Sequence, residues 1–318
     1  MALRFTGNSC WIASAVLVGI TNAACATGEG SGPVRSDAPT AGAAWGNGAS
    51  ELGRNVEQEG MPEGPNSFVV DHASVVHVLD QVNHRIQVFR GGRHERSVSI
   101  PKASFTDLEL DGANGYALLA PYGTPALVFV DLKGAKRAEV KLELREAPVP
   151  SLLSRLDRTD SGFWLTAEGA YRVQVCDLQG APVEPTVLPG QAQVGSASLA
   201  ARVDSRGLTL HRVAPGQEPE TLSRIELDAT TAHVTLLEPR PGGGAYVGLG
   251  LLGPEPGAAR HWLLAVDSAG RQVGEASIDD PHGADVPDAI RRVRLGDDGR
   301  LYVMLAASTG VTIKEVTL

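Results

Sequence analysis

The sequence predicts an all-β protein, and within that class a six-bladed β-propeller whose last blade is closed by an N-terminal strand. Three observations carry this. Short runs rich in Val, Ile, Leu and Phe alternate with Gly, Pro, Asp and Ser turns along most of the chain, as in short sheet strands. One phrase, an apolar strand, an acidic turn and a second apolar strand, recurs six times. A second phrase, a strand ending in D-x-x-G, recurs three times. Blades of about 40 to 50 residues and four strands each cannot bury both faces alone and stack into a ring.

Residues 1 to 26 read as an export signal. Arg4 supplies the positive start, and the apolar segment Trp11 to Ile20 is shorter than the roughly 20 residues that span a bilayer. Two processing routes fit. Ala24-Cys25-Ala26 resembles the small-x-small site of ordinary signal peptidase. Asn22-Ala23-Ala24-Cys25 resembles a bacterial lipobox, which would make Cys25 the lipid-bearing first residue, with Asn22 in place of the usual aliphatic residue. The expected address is the outer membrane or periplasm if lipidated, and otherwise the periplasm or the exterior. Residues 27 to 44 have the Gly, Ser, Pro and Ala content of a flexible linker. The propeller domain is expected over 45 to 318.

Residues 64 to 89 hold the clearest unit. Ser67 to Val70 is an apolar run ending at Asp71, His72 to Ser74 is a turn, and Val75 to Leu79 and Ile86 to Phe89 are two further strands. Pro65, Val69-Val70-Asp71, Val78-Leu79-Asp80, Asn83, Arg85-Ile86 and Val88-Phe89 resemble one NHL repeat. NHL repeats are propeller blades, so the resemblance implies the same fold. It also implies that Asp80, Asn83 and Arg85 brace the inter-strand turn, and that Asp71 is structural.

The acidic phrase places turn acids at Asp71, Asp111, Asp157, Asp204, Glu238 and Asp297, in steps of 40, 46, 47, 34 and 59 residues. The short step leaves blade four without a full outer strand. The long one accommodates exposed loops at Leu252 to Ala259 and Asp279 to Asp288. The D-x-x-G phrase, at Asp131 to Gly134, Asp177 to Gly180 and Asp267 to Gly270, fits the turn from the third to the outer strand of blades two, three and five. After Gly299 the chain offers only Leu301 to Ala306 and Val311 to Val316, so the last blade is one strand short. The neighbourhood of Trp45 is expected to pair with Val311 to Val316 and close the ring.

The 28 Lys and Arg against 37 Asp and Glu give a formal charge of −9, which argues against nucleic acid as a partner. Arg291, Arg292 and Arg294 read as scattered, and Arg292 with Arg294 as a solvated strand face. Three cysteines exclude a disulfide framework, and Cys176 reads as a small buried apolar residue. The eight histidines show no zinc spacing. Pro241 to Gly244 lacks the helix and Lys-Ser or Lys-Thr pair of a phosphate loop and reads as a hairpin turn.

No catalytic, cofactor or metal set is assigned. The expected role is an exported, lipid-anchored binding or scaffold module in the bacterial envelope, with a protein or small ligand as partner and membrane contact only through an N-terminal lipid. The alternative is a metal-dependent hydrolase or lyase of the lactonase type. It would hold a divalent metal at the central channel by converging Asp, Glu, Asn or His side chains, whereas a channel of Val, Leu and Gly would favour the binding module.

Overall fold

Turn chemistry and strand periodicity cut the described residues into 24 strands. The computed structural model describes residues 40–56, 62–142, 153–167, 171–190, 192–194, 197–204, 207–214, 217–227, 231–252, 259–280 and 291–318. These lie in one unit, Ser31–Leu318. Among the described residues no helix is long and apolar enough to cross a membrane.

The strands form six four-stranded antiparallel sheets, the blades of a six-bladed propeller. After β1 (Ala41–Ala44), blade one is β2 (Ser67–Val70), β3 (Val76–Asp80), β4 (Arg85–Arg90) and β5 (Arg93–Ser99). Blade two is β6 (Asp107–Leu110), β7 (Gly115–Ala120), β8 (Ala126–Asp131) and β9 (Lys136–Lys141). Blade three is β10 (Leu153–Thr159), β11 (Gly162–Ala167), β12 (Tyr171–Cys176) and β13 (Pro182–Pro189). Blade four is β14 (Ala192–Val194), β15 (Ala197–Asp204), β16 (Gly207–Val213) and β17 (Glu220–Ile225). Blade five is β18 (Thr231–Pro239), β19 (Ala245–Leu252), β20 (Ala259–Val266) and β21 (Gln272–Asp280). Blade six is β22 (Val293–Leu295), β23 (Leu301–Ala307) and β24 (Gly310–Val316), completed by β1.

The blades hold together because their middle strands are apolar on both faces. In β7 and β8, Tyr116, Leu118, Ala120, Ala126, Val128 and Val130 pack toward blade one. The alternate residues Ala117, Leu119, Leu127 and Phe129 pack toward blade three. Period-two geometry thus sends one continuous apolar run into two cores. Phe129 meets Phe163 of the next blade edge to face, with ring centroids 5.2 Å apart. Cys176 lies in the same core, and burial pushes its thiol up to about 12.

Blade four departs from the others. Its β15–β16 pair corresponds to the first and second strands elsewhere, because Gly207 approaches the end of β17 as Gly115 approaches the end of β8 and Gly162 the end of β12. On that correspondence β15 is the first strand of the blade and β17 the third. Among the described residues no strand lies outside β17, in line with the 34-residue step, and β14 is added beside β15. The expected loops at Leu252 to Ala259 and Asp279 to Asp288 fall largely outside the described residues. Asp279 and Asp280 belong to β21.

The ring closes by β1 on β24, with Ala41 opposite Ile313 and Ala44 opposite Gly310. The closing strand lies just before Trp45, on residues expected in the linker. Small side chains let Ala41–Ala44 lie flat against β24, and Trp45 fixes the end by donating from Nε1 to the Ala307 carbonyl at 2.8 Å. The next segment is moored to blade one. Asp80 accepts from Gly53 N at 2.9 Å, and Asn83 and Arg85 donate to the Gly46 and Glu51 carbonyls at 3.1 and 2.7 Å.

Candidate functional site

The innermost strands bring charged side chains to the axis. In β6, Asp107 and Glu109 are two residues apart and so share a face; in β10, Arg155 and Asp157 do the same. Glu238 comes from β18, Arg294 from β22, and Arg291 from just before β22. Arg291 donates from Nη1 to Asp107 Oδ2 at 3.0 Å and from Nη2 to Asp157 Oδ1 at 2.8 Å. Arg294 donates to Glu109 and, at 2.9 Å, to the Leu108 carbonyl. Arg155 donates to Asp157 at 3.0 Å and to Glu238. Asp107 also accepts from Ser67 Oγ and from the backbone N–H groups of Leu108 and Leu156. Blades two, three, five and six are therefore cross-linked through ionic side chains, and the Ser67 hydroxyl ties in blade one.

Burial sets the electrostatics. Desolvation raises the Glu109 carboxyl despite Arg294 and Arg291, and raises that of Glu238 despite Arg155. Burial acts the same way on Asp157, but Arg155 and Arg291 outweigh it and hold that carboxyl well below the usual range. Burial would lower the Arg291 pKa, and Asp107 and Asp157 overcome it, keeping the guanidinium charged.

Above this network lies a cleft of about 250 Å³. Arg155, Arg158, Arg172, Arg291 and Arg294 line it, with Glu109, Asp157, Glu238 and Asp297. The Arg172 guanidinium sits 4.5 Å from the Trp164 ring centroid. The cleft opens where the first-to-second strand turns lie, since Thr159, Pro239 and Gly296 form its rim. We call this the turn face. Because Ala44 pairs beside the β23–β24 turn, β1 starts at the opposite end, so the chain enters the ring on the turn face as well.

Several sequence expectations change here. Arg294 is 3 % exposed and Arg292 6 %, so the pair is not a solvated strand face. The cost of burying Arg294 is offset by Glu109 and a carbonyl. Asp157 and Glu238 are not turn acids: they lie within β10 and β18, beside arginines, and the turns follow them. The axis is neither a channel of Val, Leu and Gly nor a cluster of carboxylates alone. Among the described residues no group of three or more His, Cys, Asp or Glu is placed to hold a metal ion. The missed residues Asp107, Glu109 and Arg155 did leave a signal, charged residues at alternate positions on first strands; Arg291, just before β22, left none.

The repeat-like residues lie away from this cluster. Asp80 is fully buried and accepts from Asn83 Nδ2 at 2.9 Å and Arg85 Nε at 2.8 Å. Asp71 accepts from the backbone N–H groups of Ala73 and Val75, both at 2.8 Å. Cys25 lies outside the described residues.

No family model matches the sequence, and no curated protein is similar to it. Solved structures with a similar fold include virginiamycin B lyase from Staphylococcus aureus, at 10 % identity and a TM-score of 0.45 over 84 % of this chain and 99 % of that one. A luciferin-regenerating enzyme is similar at 11 % identity and a TM-score of 0.48, over 80 % and 91 %. A Bacteroides caccae protein of unknown function is similar at 16 % identity and a TM-score of 0.45, over 70 % and 83 %.

Proposed function

We propose that the chain is an exported, lipid-anchored propeller built on NHL-type blades, and that it acts as a binding or scaffold module in the bacterial envelope. One observation carries the binding reading. At the axis Asp107, Glu109, Asp157 and Glu238 are each held by an arginine, so they serve the ring rather than a reaction. A general base or metal ligand needs a carboxylate that can turn to substrate or cation. The guanidiniums engage the carboxylate oxygens that a divalent cation would need, which disfavours the lactonase-type alternative at this position. The partner is a protein or small ligand that meets the turn face, and no cofactor is assigned.

The NHL reading rests on the Asp80, Asn83 and Arg85 cluster. The anchor rests on Cys25, which precedes the first described residue, Thr40, by a short Gly-, Ser- and Pro-rich stretch.

Two experiments test this. The purified protein is assayed against a panel of lactones, including cyclic depsipeptides, with and without Mg²⁺. No turnover above buffer is expected; metal-dependent turnover abolished by Asp157→Asn overturns the binding reading. Intact mass of the membrane-extracted chain should show a lipid-modified N-terminus at Cys25 that Cys25→Ala abolishes. An unmodified chain starting elsewhere overturns the anchor.

A further inference from the structure

We propose that the axial cleft binds a small oxyanion, a carboxylate or phosphate group entering from the turn face. This rests on the binding reading of the same cleft. The protein as a whole carries a formal charge of −9, yet five arginines line this cleft against four carboxylates, with Asp107 buried beneath them. An anion therefore meets no net repulsion here, unlike over most of the surface.

The hydrogen-bond inventory points the same way. The Nε–H groups of Arg291 and Arg294 are buried and have no acceptor. No carboxylate oxygen of the cluster is buried without a donor. The cluster is richer in donors than in acceptors, which favours a ligand that offers oxygen lone pairs to the guanidiniums lining the cleft. Both residues are more than nine-tenths buried and line the cleft.

Blade three supplies the wall. Arg158, the residue after Asp157 in β10, is exposed and lines the cleft, and Arg172 is held over Trp164. Burial lowers the Arg172 pKa, while the carboxylates of Asp157 and Glu238 act in the opposite sense and favour its charged form. Guanidiniums suit carboxylate and phosphate because their planar forks donate two bonds at once. The occupant is small, because the cleft is about 250 Å³.

The test is a thermal-shift and calorimetric titration of the full chain with inorganic phosphate and, separately, citrate, against sodium chloride at matched ionic strength. A saturable rise in Tm with phosphate or citrate, absent with chloride, is expected. The arm that saturates at lower concentration tells phosphate from carboxylate chemistry. Arg158→Ala, at an exposed position that leaves the fold intact, should weaken binding at least tenfold, and Lys133→Ala on another blade should not. A flat response in both arms, or equal binding by Arg158→Ala, overturns the proposal and leaves the buried donors to water. If the anion titrations are flat and no lactone is turned over, only this inference fails. Metal-dependent turnover overturns the binding reading itself.

Discussion

Asp107, at the first position of β6, has no exposed surface and accepts from Ser67, Leu108, Leu156 and Arg291. A carboxylate with that many donors is stable only while its counterion stays. Arg291→Met should therefore cost about 3–5 kcal/mol in chemical denaturation, because it leaves Asp107 and Asp157 short of a partner in a buried site. A loss under 1 kcal/mol would show that water replaces the guanidinium. Asp71 gives a pH prediction. Burial would raise its carboxyl, but His77 and the Val75 and Ala73 amides outweigh this and lower it from 3.8 to about 2. The folded form holds its proton less tightly than the unfolded chain. The stabilisation is therefore complete above about pH 4 and is lost as pH falls towards 2. Asp71→Asn should flatten that part of the stability profile, and an unchanged acid limb contradicts this assignment. Glu109 and Glu238 act in the opposite sense, since their raised carboxyls favour the folded state as they protonate. At this scale the sequence was legible where a residue serves its own turn, as Asp71 does. It was misleading at Asp157 and Glu238, whose neighbours in sequence suggest a turn, whereas Asp157 also meets Arg291 of blade six and Glu238 meets Arg155 of blade three.

The strand phrases read correctly as elements because their causes are local. Each D-x-x-G turn closes with Asp accepting from the amides two and four residues on, as Asp131 does from Lys133 and Ala135. Its glycine takes positive φ, +88° at Gly134. There a Cβ would lie 1.7 Å from the Ser99 carbonyl oxygen of the preceding blade, whereas at Gly123, φ +75°, it would meet nothing within 4 Å. Gly123→Ala should therefore cost about 1 kcal/mol from backbone conformation alone. Gly134→Ala should cost at least twice that in urea denaturation, because two blades must separate. Equal costs would mean the turn adjusts without moving its neighbour. Blade four was half legible. Its 34-residue spacing fits the lack of a strand outside β17 among the described residues, but β14 has three residues and no periodicity to mark it.

The ring as a whole depends on joining its ends. Blade six meets blade one through the Asp297 N–H on the Val70 carbonyl at 2.9 Å and through Asp298, which accepts from Ser74 and Tyr302. β1 and the Trp45 segment then span both blades. Removing residues 1 to 45 should lower Tm by roughly 5–10 °C, given that 1 kcal/mol shifts a domain of this size by a few degrees. Trp45→Ala should give a smaller loss in the same direction. A truncated chain as stable as the full one would mean that the closing strand is dispensable.

Blade count, most turn positions and the need for an N-terminal closing strand were determined by the sequence alone, because periodicity and turn chemistry act over a few residues. The charged axis was decided only by the tertiary structure. Arg291 and Asp107 are 184 residues apart, and Arg294 and Glu109 are 185. No local pattern links such pairs. They meet only because stacking six blades in a circle brings the first strand of each to a common axis, where burial requires every charge to find an opposite one.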